Sequence, residues 1–171
     1  MLEQHPPDQV TMASVAAASG FSRMAVYRHF GSRAGLLTAL LAYIDESEGA
    51  DEAVREILRA PSPEEMVTHL FSWWAGYVSR FAGVARGVLA AKGADPDLGA
   101  AWDDRMRDLR RLCDEVAGRS CRGSEVQEVF ADELWALVAV PLWIQLADDG
   151  WSPDRYAATM TRMALASLPR P

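Results

Sequence analysis

An all-α fold is what this sequence predicts, and three observations predict it. Sustained two-residue alternation and hairpin dipeptides between β-rich runs are absent. Apolar residues recur instead at three- and four-residue steps, as Leu98, Trp102, Met106, Leu109 and Cys113 do. Short segments also open on Ser or Thr and close on Gly, the marks of helix caps.

Three closely spaced helices come first. Thr11 precedes MASVAAAS, which Gly20 closes; Ser22 opens RMAVYRHF, which Gly31 closes; Ser32 opens RAGLLTALLAYIDE. SEGADEAVREILRAP reads as a helix or helix pair with an acidic start. Ser62-Pro63-Glu64-Glu65 combines a cap, a proline at the first helical position and a glutamate placed for a capping box. The helix it starts is expected to end near Phe81, with Gly83 and Gly87 punctuating the next piece and Gly93-Ala94-Asp95-Pro96 forming a turn. A long helix is expected from Asp97 to Ala117. Ser124 with Gln127 suggests a capping box leading into EVFADELWALVAVPLWIQLADDG, and Ser152-Pro153 opens DRYAATMTRMALASL. The chain divides into an N-terminal module, 1–46, and a larger helical body, 47–171.

The 171 residues carry a net charge of −7, which argues against the whole chain coating nucleic acid. Distribution matters more than the total. Between Thr11 and Ile44 lie Arg23, Arg28 and Arg33 and no acidic residue, while nearly all the acidic charge follows. That asymmetry suits a small module that meets an anion, joined to a body that does not. No apolar run approaches the ~20 residues that span a bilayer. The N-terminus lacks the basic flank and apolar centre of a signal peptide, so a cytoplasmic chain with no membrane partner is the expectation. Cys113 and Cys121 have no metal-ligand or redox spacing and read as reduced, buried thiols, a redox switch being the lesser reading. No G-x-S-x-G, P-loop or H-E-x-x-H motif is present, so neither an enzyme nor a metal or cofactor is expected.

Chemistry concentrates in residues 11 to 33. Met12, Val15, Ala16 and Ala17 are small enough on the first helix for a second to cross close by. Ser19-Gly20-Phe21-Ser22 forms a tight turn, with Phe21 expected to pack into the angle between the helices. This is the pattern of a helix-turn-helix. On the second helix Val26 and Phe30 share an inward face, leaving Arg23, Tyr27, Arg28 and His29 to project elsewhere. Residues at the start of such a helix, here Ser22, Arg23, Met24 and Ala25, are the ones that reach base edges.

The run VTMASVAAASGFSRMAVYRHFGSRAGLL resembles the N-terminal DNA-binding domain of the TetR family of transcriptional repressors. The shared features are the threonine before the first helix, Ala-x-Gly, Tyr-x-His-Phe, Gly-Ser-Arg and a Leu-Leu pair. The resemblance implies phosphate contacts from Thr11, Tyr27, His29 and Arg33, the last standing where lysine is commoner. It also implies a helix ahead of the threonine, which Pro6-Pro7 opposes, so the first helix is expected to be missing or truncated. In the body, the segment from Leu134 to Leu168 looks like the last two helices of the family, the first with a proline inside. In relatives these pair with their copies, so Leu142, Tyr156, Met160, Met163, Ala164 and Leu168 are candidates for a homodimer interface. Six tryptophans suggest a pocket for a small, largely apolar effector, lined by Leu70, Trp74, Tyr77, Trp102, Met106, Trp135 and Val138, with His69 as a polar contact. The function these features imply is that of a ligand-responsive repressor, dimeric on a palindromic double-stranded DNA operator. The alternative is a helical dimeric sensor or scaffold of the same descent that no longer binds DNA.

Overall fold

The computed structural model describes residues 11–168, so the expectation about the segment before Thr11 lies outside the described residues. Among these residues there are nine helices and no strand. They are α1 (Met12–Ser19), α2 (Arg23–Phe30), α3 (Arg33–Ser47), α4 (Ala50–Arg59), α5 (Pro63–Ala91), α6 (Pro96–Ser120), α7 (Ser124–Leu137), α8 (Val140–Asp148) and α9 (Pro153–Ser167).

The starts follow the capping residues. Oγ1 of Thr11 accepts the Ser14 N–H at 3.1 Å, and Oγ of Ser14 accepts the Thr11 N–H at 2.9 Å, a reciprocal capping box. Ser22, Ser32 and Ser152 accept the N–H groups of Ala25, Gly35 and Arg155 at the starts of α2, α3 and α9. The start of α7 differs from expectation. Gly123 is its cap and makes no side-chain cap bond, and Gln127 turns its amide to the Cys121 carbonyl, donating at 2.9 Å.

Two longer-range departures have clear physical causes. α5 does not stop near Phe81 but runs 29 residues to Ala91, through Gly83 and Gly87. Its buried stripe keeps step across both glycines: Leu70, Phe71, Trp74, Val78, Phe81, Val84, Ala85 and Val88 are all buried. Each interior glycine costs about 1 kcal/mol, whereas burying each large apolar side chain beyond them returns about 1.5–3 kcal/mol. Burial wins. Conversely, the expected single helix through Pro141 is two, broken at Val138 and Ala139. A proline inside a helix clashes with the carbonyl four residues earlier, here that of Leu137. Pro141 instead lies in the first turn of α8, and the Leu137 carbonyl accepts the Tyr156 hydroxyl. The break divides the stretch Ser124–Asp148, which is long and apolar enough by composition to cross a membrane, into helices of 14 and 9 residues.

Two compact units emerge, and their boundary differs from the expected one after residue 46. The first joins described residues 11–48 to Arg80–Arg105; the second joins Gly49–Ser79 to 106–168. The first unit takes in parts of α5 and α6 because ion pairs tie them to the end of α3. Arg105 grips Asp45 through both terminal guanidinium nitrogens, Nη2 donating at 2.6 Å, and lies 5.2 Å over the Phe81 ring, while Arg80 pairs with Glu48. In the second unit, α7 packs on α9, and the Trp143 and Tyr156 rings meet edge to face at 5.0 Å.

Both cysteines are free and buried. Burial pushes the Cys113 thiol from 9.0 to about 12 and raises Cys121 as well, and burial also holds the Tyr156 phenol well above its ordinary range. These groups stay protonated in the folded chain after they have ionised in the unfolded one. Their stabilising effect is whole below pH 9 and is lost as pH rises toward about 12. The urea midpoint is therefore expected to fall between about pH 8 and pH 11, with little competition from the single lysine, Lys92. A midpoint unchanged over that range would contradict the buried, protonated thiol.

Candidate nucleic-acid interface

Three helices build the candidate site. Gly20 sits at φ 74°, the left-handed conformation that ends α1 and lets α2 cross it, and α1 and α2 pack directly together. Met12 and Ala16 of α1, Val26 of α2 and Leu36 of α3 form a buried cluster, with Val15 and Phe30 packed against it. A second glycine is required by close approach. A Cβ on Gly35 would stand 2.1 Å from the Phe30 carbonyl oxygen, so the first turn of α3 reaches the end of α2 only with glycine there.

With Val26 and Phe30 fixed inward, helical geometry decides where the rest of α2 points. Ser22, Arg23, Met24, Tyr27, Arg28 and His29 are exposed and Ala25 is half-buried; Thr11 and Arg33 at neighbouring helix starts are exposed too. His29 keeps contact with the module through its ring, edge-on to Phe30 at 4.6 Å. Arg23, Arg28 and Arg33 have no acidic partner among the described residues. Arg28 also lies in the last turn of α2, where positive charge is favourable. The result is an outward face of arginine, tyrosine and histidine donors with no carboxylate among them. Such a face can bind phosphate and present side chains to base edges.

Phe21 departs from expectation. It is 67% exposed rather than packed between the helices, because Met12, Ala16, Val26 and Leu36 already fill that angle. In the body, Leu70, Trp74, Tyr77, Trp102 and Val138 are buried as packed core, Met106 and Trp135 are half-buried, and His69 is exposed. The rings of Trp73 and Tyr77 stack at 5.0 Å, and those of Trp74 and Tyr77 lie 5.8 Å apart. None of the eight lines the groove of about 590 Å³ that runs beside Ser72, Ala75 and Gly76 of α5 and Ala157, Ala158 and Thr161 of α9. Of the candidate interface residues, Tyr156, Met160 and Ala164 are buried within the chain, Leu142 and Leu168 are half-buried, and Met163 is exposed. Val126 and Val129, one turn apart on α7, are exposed apolar residues that the sequence reading passed over. Their three-residue spacing outside the buried stripe of Phe130 and Leu134 was the available signal.

The geometry thus defines a class: an all-helical protein with an N-terminal helix-turn-helix whose second helix turns a basic face outward. A family model described as "Bacterial regulatory proteins, tetR family" matches residues 1–40. The nucleoid occlusion factors SlmA of Colwellia psychrerythraea and Shewanella sediminis are each 45% identical over 47 residues, covering 28% of this chain and 24% of theirs. The chain therefore spans about a quarter of the length of those relatives. The crystal structure of the TetR family transcriptional regulator PfmR from Thermus thermophilus matches with a TM-score of 0.60 and 18% identity, covering 95% of this chain and 89% of that one. Residues 1–40 thus match the tetR family model, and the chain as a whole shares the fold of that solved regulator.

The inward and outward faces of α2 should separate by mutation. Val26→Ala, at a buried position, is expected to cost about 1–3 kcal/mol in urea unfolding. Arg28→Ala, at an exposed one, should stay within about 0.5 kcal/mol. Equal costs would contradict the orientation of α2.

Proposed function

We propose that the chain is a DNA-binding transcriptional repressor, acting as a homodimer on a palindromic operator and released by a small, largely apolar molecule. The observation that carries this reading is the outward face of α2, where Arg23, Tyr27 and Arg28 stand exposed in a stretch of 34 residues, Thr11 to Ile44, without one acidic side chain. An acidic protein that keeps one short helix basic and solvent-facing has a surface suited to a polyanion. Dimerisation is supported by the apolar side chains left exposed on two helices that pack together, Val126 and Val129 on α7 and Met163 on α9. A two-fold dimer matches the symmetry of a palindromic operator, whose half-sites lie about 34 Å apart, one turn of duplex. The effector is supported by the aromatic body, in which the indole N–H groups of Trp73 and Trp143 are buried without an acceptor among the described residues. Donors of that kind suit a small molecule with one carbonyl or hydroxyl on an apolar frame. The likeness to nucleoid occlusion factors is confined to 47 residues, so their role is not carried over to the body of this chain.

Fluorescence anisotropy tests the reading, using a duplex selected from a random-sequence pool and a shuffled control. Selective binding is expected to weaken linearly with log salt, and Arg23→Ala or Arg28→Ala should each reduce the slope by about one. Absence of duplex binding at low salt would overturn the proposal.

A further inference from the structure

Met24 is the most exposed large apolar residue described, at 77%, ahead of Phe21, Tyr43 and Val129. It occupies the second position of α2, directly after Arg23, in the turn capped by Ser22. Tyr27 and Arg28 lie three and four residues on, so they neighbour it on the helix surface, and both are exposed. A long apolar side chain held bare among cationic and phenolic donors forgoes burial in water, and nothing in the packing of α2 requires it. The buried cluster is completed by Val26 and Phe30, on the opposite face.

We infer that Met24 is a specificity-determining residue that packs against the C5-methyl group of thymine in the major groove. The inference rests on the DNA-binding reading above and adds the chemical group that is read. The argument is one of complementarity. Arginine and tyrosine on this face suit phosphate and base edges, and the apolar group that the major groove presents is the thymine methyl. Methionine is unbranched and polarisable, so it can follow a methyl across small changes of docking angle. An anionic lipid surface would favour the same charge but needs a broad apolar face, and the other apolar side chains of α2 before its terminal turn of Tyr27–Phe30 are small or turned into the core: Ala25 is half-buried and Val26 is buried.

Uracil scanning of the selected duplex tests this. Replacing each thymine in turn by uracil removes one methyl and leaves base pairing unchanged. At one thymine in each half-site the native chain should lose about three- to tenfold in affinity, the scale of one buried methyl group. Met24→Ala, whose fold should be unaffected at so exposed a site, should bind thymine and uracil equally there. Repeating the selection with Met24→Gln should replace that thymine by adenine, which glutamine recognises through two hydrogen bonds. Selective duplex binding with the same uracil response in the native chain and Met24→Ala overturns this inference alone. Failure of the native chain to bind any duplex, including a case where it binds phosphatidylserine vesicles instead, overturns the DNA-binding reading and this inference with it.

Discussion

The inward placement of Val26 and Phe30 is the constraint on which the remainder of the N-terminal module depends. α2 has eight residues, too few to hold a helix in water by backbone hydrogen bonds alone. Its persistence rests on the caps at either end and on the small cluster of Met12, Ala16, Val26 and Leu36 beneath it. Because those contacts fix the rotation of the helix, they also fix which residues face out. The exposure of Arg23, Met24, Tyr27 and Arg28, on which the proposed recognition rests, is therefore a consequence of packing at Val26 and Phe30. The same logic explains the glycine at 35. The Phe30 carbonyl occupies the space of a side chain there, so α3 meets the end of α2 through bare backbone at that position, while its Leu36 joins the cluster.

A second anchor acts at the far end of α3. Asp45 and Glu48 close the acid-free stretch, and both are engaged by arginines, Arg105 and Arg80 respectively. The Asp45–Arg105 pair is the stronger in kind, being forked and largely sheltered on the arginine side, where 14% of the side chain is exposed. Of the first three carboxylates after the basic face, Asp45 and Glu48 are thereby paired within the first unit, while Glu46 between them is exposed.

Much of this was legible in the sequence, and the reasons are local. Ser22, Ser32, Ser152 and Thr11 announce helix starts because a cap needs only the next three residues. Gly20 announces a turn because its conformation is intrinsic to the residue. Where the reading went astray, a distant partner decided the outcome. Gly83 and Gly87 look like stops until Phe81, Val84 and Val88 are seen buried around them. The break before Pro141 is stabilised by Tyr156, nineteen residues from the carbonyl its hydroxyl reaches. Phe21 looks like core until shorter side chains are found to have filled the angle. For the aromatic residues of the body, spacing identifies an inward face, and Trp74 and Tyr77 are indeed buried, but it does not say whether a ligand finds space beside them. Asp45 and Arg105, sixty residues apart, left no sequence signal of their pairing.

The central claim is that the outer face of α2 is the surface that meets DNA. Side-chain NMR of the full chain, with the selected duplex added in steps, tests it most directly. The account predicts that the arginine Nε–H signals of Arg23 and Arg28 and the Met24 methyl signal shift first and furthest, while the methyl of buried Met160 is far less affected. Shifts confined to residues 49–168, with the Arg23, Met24 and Arg28 signals unmoved, would contradict it.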